Sequence, residues 1–376
     1  MKYIIILGEE YWFSRQTRIS KNAHVFIEAS YLLERLKTRR DKRFEYIILD
    51  EPKKLLKTIN DIGKDNIRAL FLFQDVLSDS NLNNMSIWEM KQYLLNLTNN
   101  GIYIYPPVEI INIFASKKYS KTLSEQLMYA QLPHTRVLQF NNYIPFIDEK
   151  KITKVIYNVV SKMWNIFEKV VVKKGYSYES KQVKTLTKSN VLDFKEFKHK
   201  IRTLNYKEFW GEKINAINID KGIDRYYIIQ GYNKIVTKSR NEYRVFFHNG
   251  RCKYIAHADK VANYCTSYQT NDLVKHVIQF AKKLFKDYIK IIWTEKRLPI
   301  LFRIDVTYAT DMIFQDEFSI KIDGFDNTIR LYANEMEIDP TSYYYNKFIC
   351  NEDETFSSKL IQNNIGKYIN KYIRSL

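Results

Sequence analysis

The sequence predicts a mixed α/β protein, with a parallel, helix-covered sheet in its first third and a larger α+β part after it. Three observations predict this. Short β-rich apolar runs alternate with helix-period stretches up to about residue 113. From about residue 114 the pattern changes to strongly β-branched runs separated by polar stretches. No internal repeat or low-complexity linker divides the 376 residues into loosely joined modules.

In chain order, Tyr3–Leu7, Tyr46–Leu49, Ala69–Phe73 and Ile102–Tyr105 read as strands. Helices are predicted between them over roughly His24–Lys37, Pro52–Ile62 and Ile87–Leu97. Strand–helix–strand alternation implies parallel pairing, because the crossover has to return to the same end of the sheet. The turn directly after the first strand holds a single glycine, Gly8, and neither GxGxxG nor GxxxxGK[ST] occurs. A dinucleotide fingerprint and a P-loop are thereby argued against, which leaves this domain as scaffold or substrate-side wall. Further on, a helix is predicted over Ser116–Ala130, ending at Leu132-Pro133-His134-Thr135 and followed by an extended stretch. Lys169–Lys174 reads as a strand running into a polar loop, Asp193–Leu204 as a helix and Asp224–Gln230 as a strand. The last part reads as strands Glu242–Phe247, Phe302–Val306, Ser319–Ile322 and Ile329–Ile338, with helices Leu273–Lys290 and Phe356–Ile373.

A hydrophobic content of 45% with 15% aromatics is ample for real cores and excludes wholesale disorder. No apolar run approaches the roughly 18 residues of a membrane span, and no signal peptide is legible, so a cytoplasmic protein without membrane partners is expected. Cys252, Cys265 and Cys350 form no CxxC pair, and the six histidines show no metal-ligand spacing. The net charge of +18 invites a nucleic-acid partner. The same richness in Lys, Asn, Ile and Tyr, with only 10 glycines and 7 prolines, is also what a low-GC genome, such as a viral one, produces. A nucleotide or an acidic peptide suits the charge as well.

Four separated pieces together suit a nucleotide and a hard cation. They are Lys117-Lys118 ahead of Pro133-His134-Thr135; Val170 to Ser180; Ile228-Ile229-Gln230-Gly231-Tyr232 with Glu242-Tyr243-Arg244; and Arg303-Ile304-Asp305-Val306 with Asn334-Glu335-Met336-Glu337-Ile338-Asp339. Lysines at strand ends offer point charges to phosphates, and a small-residue loop offers backbone N–H groups. Magnesium takes oxygen ligands, usually one or two carboxylates beside phosphate and water. Side-chain alternation puts Glu335, Glu337 and Asp339 on one face of a strand. Such a triplet repels itself unless a cation sits there. The competing readings are an ion pair of Asp305 with Arg303 and one of Arg244 with Glu242.

These pieces, in this order, resemble the ATP-grasp superfamily over about residues 101–345. Lys118 to Thr135 is similar to the family's lysine–helix–Pro-x-Thr segment, and Val171-Val172-Lys173 to the strand whose lysine contacts phosphate. Ile228-Ile229-Gln230 resembles the hinge strand that holds adenine, and Glu242-Tyr243-Arg244 the Asp-x-Arg that follows. Asp305 with Glu335, Glu337 or Asp339 resembles the metal-binding Asp and Glu-x-Asn. The resemblance implies a Rossmann-like pre-ATP-grasp domain (1–113), a small lobe (114–232) and a large C-terminal lobe carrying the metal site (233–376). It implies ATP and Mg2+ as cofactors, with Lys118, Lys173, Ser177, Ser180, Gln230 and Tyr232 on the nucleotide. Asp305, Glu335, Glu337 and Asp339 would serve the metal, and Arg244 and Lys173 would be catalytic. The implied activity is ligation of a carboxylate to an amine through an acyl phosphate, the substrate itself being unspecified. The chain departs from the family pattern in having one glycine, Gly175, in the phosphate-loop region and no Glu-x-Asn. The lysine-then-aromatic-and-serine loop ending in Ser180-Lys181 also looks like a divergent branch that includes the assembly chaperone of eukaryotic translation initiation factor two and related viral and phage proteins. An ATP-binding assembly factor with little turnover is therefore a second expectation, and a basic nucleic-acid-binding protein a third. As a ligase, the chain should bind ATP more weakly as Lys173→Ala. Asp305→Asn should abolish turnover with smaller effects on folding.

Overall fold

Four apolar runs in the first third form strands β1 (Lys2–Leu7), β2 (Phe44–Leu49), β3 (Ile67–Leu72) and β4 (Tyr103–Tyr105) of a wholly parallel sheet, in the order β2-β1-β3-β4. The computed structural model describes residues 2–8, 36, 44–78, 85–132, 134–140, 149–176, 183–204, 225–233, 242–258, 263–265, 272–310, 319–322, 328–338 and 366–374. Ile4 to Leu7 are all fully buried, as expected of a parallel strand covered on both faces. Helix α1 (Lys53–Ile62) buries Leu55 and Ile59, four residues apart on one face. It ends at Gly63, whose N–H donates to the Ile59 carbonyl at 3.0 Å and whose φ of +81°, open to glycine, turns the chain out of the helix. Helix α2 (Ile87–Asn99) starts with a capping box: Ser86 Oγ accepts from Glu89 N–H at 3.2 Å, and Ser86 N–H donates to Glu89 Oε2 at 2.7 Å. The predicted helix over His24–Lys37 lies outside the described residues apart from Leu36.

The chain divides into two compact units. One comprises Met1–Val76, Leu94–Ile110 and Ile235–Leu376, the other Leu77–Tyr93 and Ile111–Lys234. In the second unit, the helix expected over Ser116–Ala130 is observed as helix α4 (Tyr119–Gln126) and a 3₁₀ turn at Met128–Ala130, and a turn at Ser116–Lys118 joins it to an unforeseen helix ahead of it, α3 (Val108–Ala115). The break lies at Lys117, whose φ of 60° no right-handed helix accommodates. Strands β5 (Arg136–Phe140), β6 (Lys169–Lys174), β7 (Val183–Thr187) and β8 (Arg225–Gly231) form an antiparallel sheet ordered β5-β8-β6-β7. The polar stretch after β6 thus includes a strand, β7, which sequence had given to a loop. Helix α5 (Glu149–Met163), also unforeseen, packs on β5 and β8. It buries Ile152, Ile156, Val160 and Met163 at helical spacing, and Trp164 just beyond it donates to the Leu186 carbonyl. Helix α6 (Phe194–Lys200) is capped by Asp193, which accepts from Glu196 N–H at 2.8 Å.

In the first unit, strands β9 (Glu242–His248), β10 (Arg251–Ala258), β11 (Asn263–Cys265), β12 (Leu301–Ala309), β13 (Ser319–Ile320) and β14 (Ile329–Ile338) form a second antiparallel sheet, ordered β11-β10-β9-β12-β14-β13. Helix α7 (Asp272–Ile292) buries Val277, Ala281, Leu284 and Tyr288 along one face. Its Phe285 stacks on Phe247 of β9 at 4.6 Å between centroids and meets Phe302 of β12 edge-on. One apolar core joins Ile4, Ile6 and Phe71 of the parallel sheet to Phe246 and Leu301, and to Ile369, Tyr372 and Ile373 of a last helix, α8 (366–373). Each such side chain contributes about 1.5–3 kcal/mol by leaving water. Tyr372 Oη meets the Arg297 and Leu298 carbonyls, both at 2.9 Å, and Tyr105 Oη accepts from Ile300 N–H. The chain is thus pinned just ahead of β12. Only residues 366–373 of the helix predicted over Phe356–Ile373 are described.

Candidate active site

The predicted residues fall into two groups, one in each unit. In the first unit, pairing across β9, β12 and β14 sets Arg244, Asp305 and Glu335 in one row and Phe246, Arg303 and Glu337 in the next. Residues directly opposite share a face, so two arginines and three carboxylates lie on one side of this sheet. The register then moves from Asp305↔Glu335 to Val306↔Ala333, and Asn334 is the extra residue of a bulge. Its Nδ2 donates to Glu242 Oε2 at 2.6 Å.

Asp305 is 2% exposed and Arg303 5%. The guanidinium of Arg303 donates from Nε to Asp305 Oδ1 at 2.7 Å and from Nη2 to Oδ2 at 3.0 Å, and Nη2 also lies 2.7 Å from Glu337 Oε1. Arg244 Nε stands between Glu242 Oε1 at 3.3 Å and Asp305 Oδ2 at 3.8 Å. Both ion pairs weighed as competing readings are therefore present. Arg303, from the neighbouring strand, sets a positive charge against Asp305 and Glu337 on this acidic face. Burial pushes the Asp305 carboxyl above its ordinary range; Arg303 and Arg244 pull it down, while Glu242 and Glu337 push it further up. Burial also opposes the charge on Arg303, but Asp305, Glu337 and Glu335 outweigh it and hold the guanidinium protonated. The side-on fork, with both Asp305 oxygens accepting, is the geometry of an ionised pair. Asp339 lies outside the described residues, and among the described residues no three His, Cys, Asp or Glu side chains form a metal cage. Glu242, Arg303 and Asn334 complete the cluster. The signal for them was spacing: Arg303 and Asp305 are two apart on one strand, as are Glu242 and Arg244.

In the second unit, β6 alternates. Val170, Val172 and Lys174 are buried, while Lys169, Val171 and Lys173 are half-buried on the other face. Lys173 lies opposite Ile228 on β8 and Val183 on β7. Gln230 is opposite Val171, is buried, and donates from Nε2 to Thr135 Oγ1 at 3.2 Å. Thr135 Oγ1 donates in turn to the Leu132 carbonyl at 2.6 Å. The Gln230 amide thus ties β8 to the segment before β5. Tyr232 N–H donates to the Lys169 carbonyl at 3.0 Å, and the Lys169 ammonium sits 5.5 Å from the Tyr232 ring centre. Lys118 is exposed at the head of α4, whereas Lys117 beside it is buried. Pro133, Ser177 and Ser180 lie outside the described residues. Gly231 answers to packing, because a Cβ there would come within 2.7 Å of the Phe167 ring.

A parallel sheet and two antiparallel sheets in this chain order give the mixed α/β fold expected from the resemblance to ATP-grasp proteins. The chain is similar to the crystal structure of D-cycloserine synthetase DcsG, with a TM-score of 0.56 and 12% identity over 98% of this chain and 99% of that one. It is also similar to an ATP-grasp RimK domain protein from Sphaerobacter thermophilus, with a TM-score of 0.48 and 10% identity over 98% and 99% of the two chains. The D-alanine–D-alanine ligase from Bacillus anthracis complexed with ATP gives a TM-score of 0.46 and 12% identity over 100% and 98%. At such identities the likeness is one of fold. No protein-family model and no curated protein sequence matches the chain. No helix among the described residues is long and apolar enough to cross a membrane.

Proposed function

We propose that the chain is an ATP-dependent ligase that joins a carboxylate to an amine through an acyl phosphate, with magnesium. The observation that carries this reading is the row Arg244–Asp305–Glu335, in which an arginine and two carboxylates lie abreast on three paired strands of an ATP-grasp fold. The similarity to a structure named as a synthetase supports it. Two carboxylates suit magnesium, a hard cation that usually keeps most of its shell for phosphate and water. Asp305 and Glu335 would hold the ion, Asp305 sharing with it an oxygen that now accepts from Arg303. Bound magnesium would supply charge neutralisation.

The remaining chemistry is positioning and electrostatics. Lys173 and Lys118 would neutralise the phosphates, and Gln230 and Tyr232 of β8 and its end would hold the base. Arg244, held between Glu242 and Asp305, would stabilise the transferring phosphoryl group. The substrate carboxylate attacks the γ-phosphorus and ADP leaves. The amine then adds to the acyl carbon, and phosphate leaves. No protein nucleophile is required.

The test is a thermal melt with and without Mg-ATP, on wild type and Lys173→Ala, followed by assay of ADP release with carboxylate and amine panels. Ligand at a hundred times its Kd stabilises the folded state by about 2.7 kcal/mol, a readily measured shift. A magnesium-dependent shift in wild type that shrinks in Lys173→Ala is expected. No shift in wild type would overturn the reading.

A further inference from the structure

We propose that Tyr176 is a positioning residue that locks the strand carrying Lys173 to the turn carrying Lys118, an inference that rests on the phosphate-binding roles just given to those lysines. The junction is built from two rare conformations. Tyr176 has φ of 53° and Lys117 φ of 60°, in the left-handed region that L side chains avoid because Cβ crowds the following carbonyl. Bulky residues keep such angles only where surrounding contacts over-determine them, and such sites cluster where geometry matters for function.

The contacts are specific. Gly175 N–H donates to the Tyr226 carbonyl at 3.0 Å, continuing the sheet for one residue beyond β6. The next N–H, of Tyr176, leaves the sheet and donates to the Ala115 carbonyl at 2.5 Å, at the end of α3. The Tyr176 ring is 1% exposed, and its hydroxyl donates to Asn112 Oδ1 at 2.7 Å, one turn back on the same helix. The backbones touch: a Cβ on Gly175 would sit 2.2 Å from the Ser116 carbonyl oxygen, so only glycine fits there. On the far side of the turn, Lys118 N–H donates to Ser116 Oγ at 3.3 Å. The Lys117 and Lys118 carbonyls accept from Ser120 at 3.0 Å and Lys121 at 2.9 Å. Lys118 therefore starts from a backbone held on both sides, and Lys173 lies three residues before the tyrosine that anchors its strand to the same turn. Buried apolar packing alone would be met by phenylalanine. The hydroxyl–amide bond, aimed at one residue of α3, fixes where along that helix the strand end docks.

The experiment measures Mg-ATP and adenosine binding by calorimetry, well below the melting point of each protein, for wild type, Tyr176→Phe, Asn112→Leu and the double variant. Losing one well-formed hydrogen bond that sets phosphate geometry should raise the Mg-ATP Kd about tenfold and leave the adenosine Kd within about twofold. The double variant should bind no more weakly than either single one, and Asn112→Asp, which still accepts, should keep wild-type affinity. If Tyr176→Phe is recovered unfolded, Asn112→Leu decides on the same two ligands. Unchanged Mg-ATP affinity in a folded variant, or an equal loss for adenosine, assigns the bond to stability alone and overturns the proposal. A wild-type protein that binds no Mg-ATP overturns the functional reading first and this one with it.

Discussion

Replacing Asp305 by asparagine separates the two roles that meet at this residue. Both partners of the Arg303–Asp305 fork are buried, with side chains 6% and 2% exposed. Breaking a buried pair by neutralising one member costs about 3–5 kcal/mol, because the other charge is left without compensation in a poorly solvating site. Two features reduce that figure here. Glu337 remains 2.7 Å from Arg303 with a third of its side chain in water, and asparagine keeps one acceptor in place. A loss of about 2–3 kcal/mol is the resulting expectation, well above the 0.2–1 kcal/mol of an exposed pair. Urea unfolding of Asp305→Asn, Arg303→Met and the double variant gives the coupling directly. The double variant should lose less than the sum of the two, by about 1–3 kcal/mol. Additive losses, or a single loss below about 0.5 kcal/mol, would refute the view that this fork holds the acidic face together. The smaller folding effect expected for this substitution from sequence is thereby revised. Its turnover should be read below its own melting temperature.

Three further outcomes follow from the packing. Burial, with some help from the Lys253 charge, lowers the His248 pKa from its ordinary 6.5 to about 3. The unfolded chain therefore takes up this proton first as pH falls, and stability should drop by about 1.4 kcal/mol per unit between about pH 6 and 4. His248→Gln should remove one proton from that slope in urea titrations run across the range, and an unaltered slope would be the contrary result. Gly231→Ala drives a methyl to 2.7 Å from Phe167 and should cost about 1–3 kcal/mol, partly recovered by adding Phe167→Leu; calorimetric melts of the pair check this. Ser86→Ala removes one half of the capping box of α2 and should cost about 1 kcal/mol by urea unfolding, with Ser86→Thr costing far less.

The parallel sheet was legible because its strands are buried on both faces, so each reads as an unbroken apolar run such as Ile4–Leu7. The expected helix start at Ser116 falls within three residues of α4, but helix α3 ahead of it was not read from the sequence. Nothing in Phe114-Ala115-Ser116-Lys117-Lys118 signals the left-handed Lys117, beside which the Tyr176 N–H meets the Ala115 carbonyl. Helix α5 escaped notice because its Ile and Val residues suit a strand by propensity, while their spacing at 152, 156 and 160 fits only a helix. On β14 the alternation of Glu335 and Glu337 was readable. The bulge at Asn334 was not, because it depends on pairing with β12. Ser177, Ser180 and Asp339, named from sequence, lie outside the described residues.

The scarcity of glycine acquires a physical meaning in the second unit. A phosphate loop uses glycines because backbone N–H groups can then crowd around an anion without Cβ atoms in the way. Here the two glycines that flank the candidate site are taken up by protein contacts: Gly175 by the Ser116 carbonyl at 2.2 Å from its missing Cβ, Gly231 by the Phe167 ring. The Gly175 N–H already serves the Tyr226 carbonyl, and the Tyr176 N–H serves that of Ala115. Those amides are not open to a ligand without breaking the junction. Among the described residues, phosphate charge at the proposed site would then be met mainly by side chains, and a chain with a net charge of +18 offers lysines at the positions where the strand and the turn end. Lysine is a point charge on a flexible stem, so it neutralises without imposing geometry. The geometry has to come from the backbone that carries it. That is why the strained, fully buried junction at Tyr176, more than either lysine alone, is where the proposed site is most sensitive to a single atom.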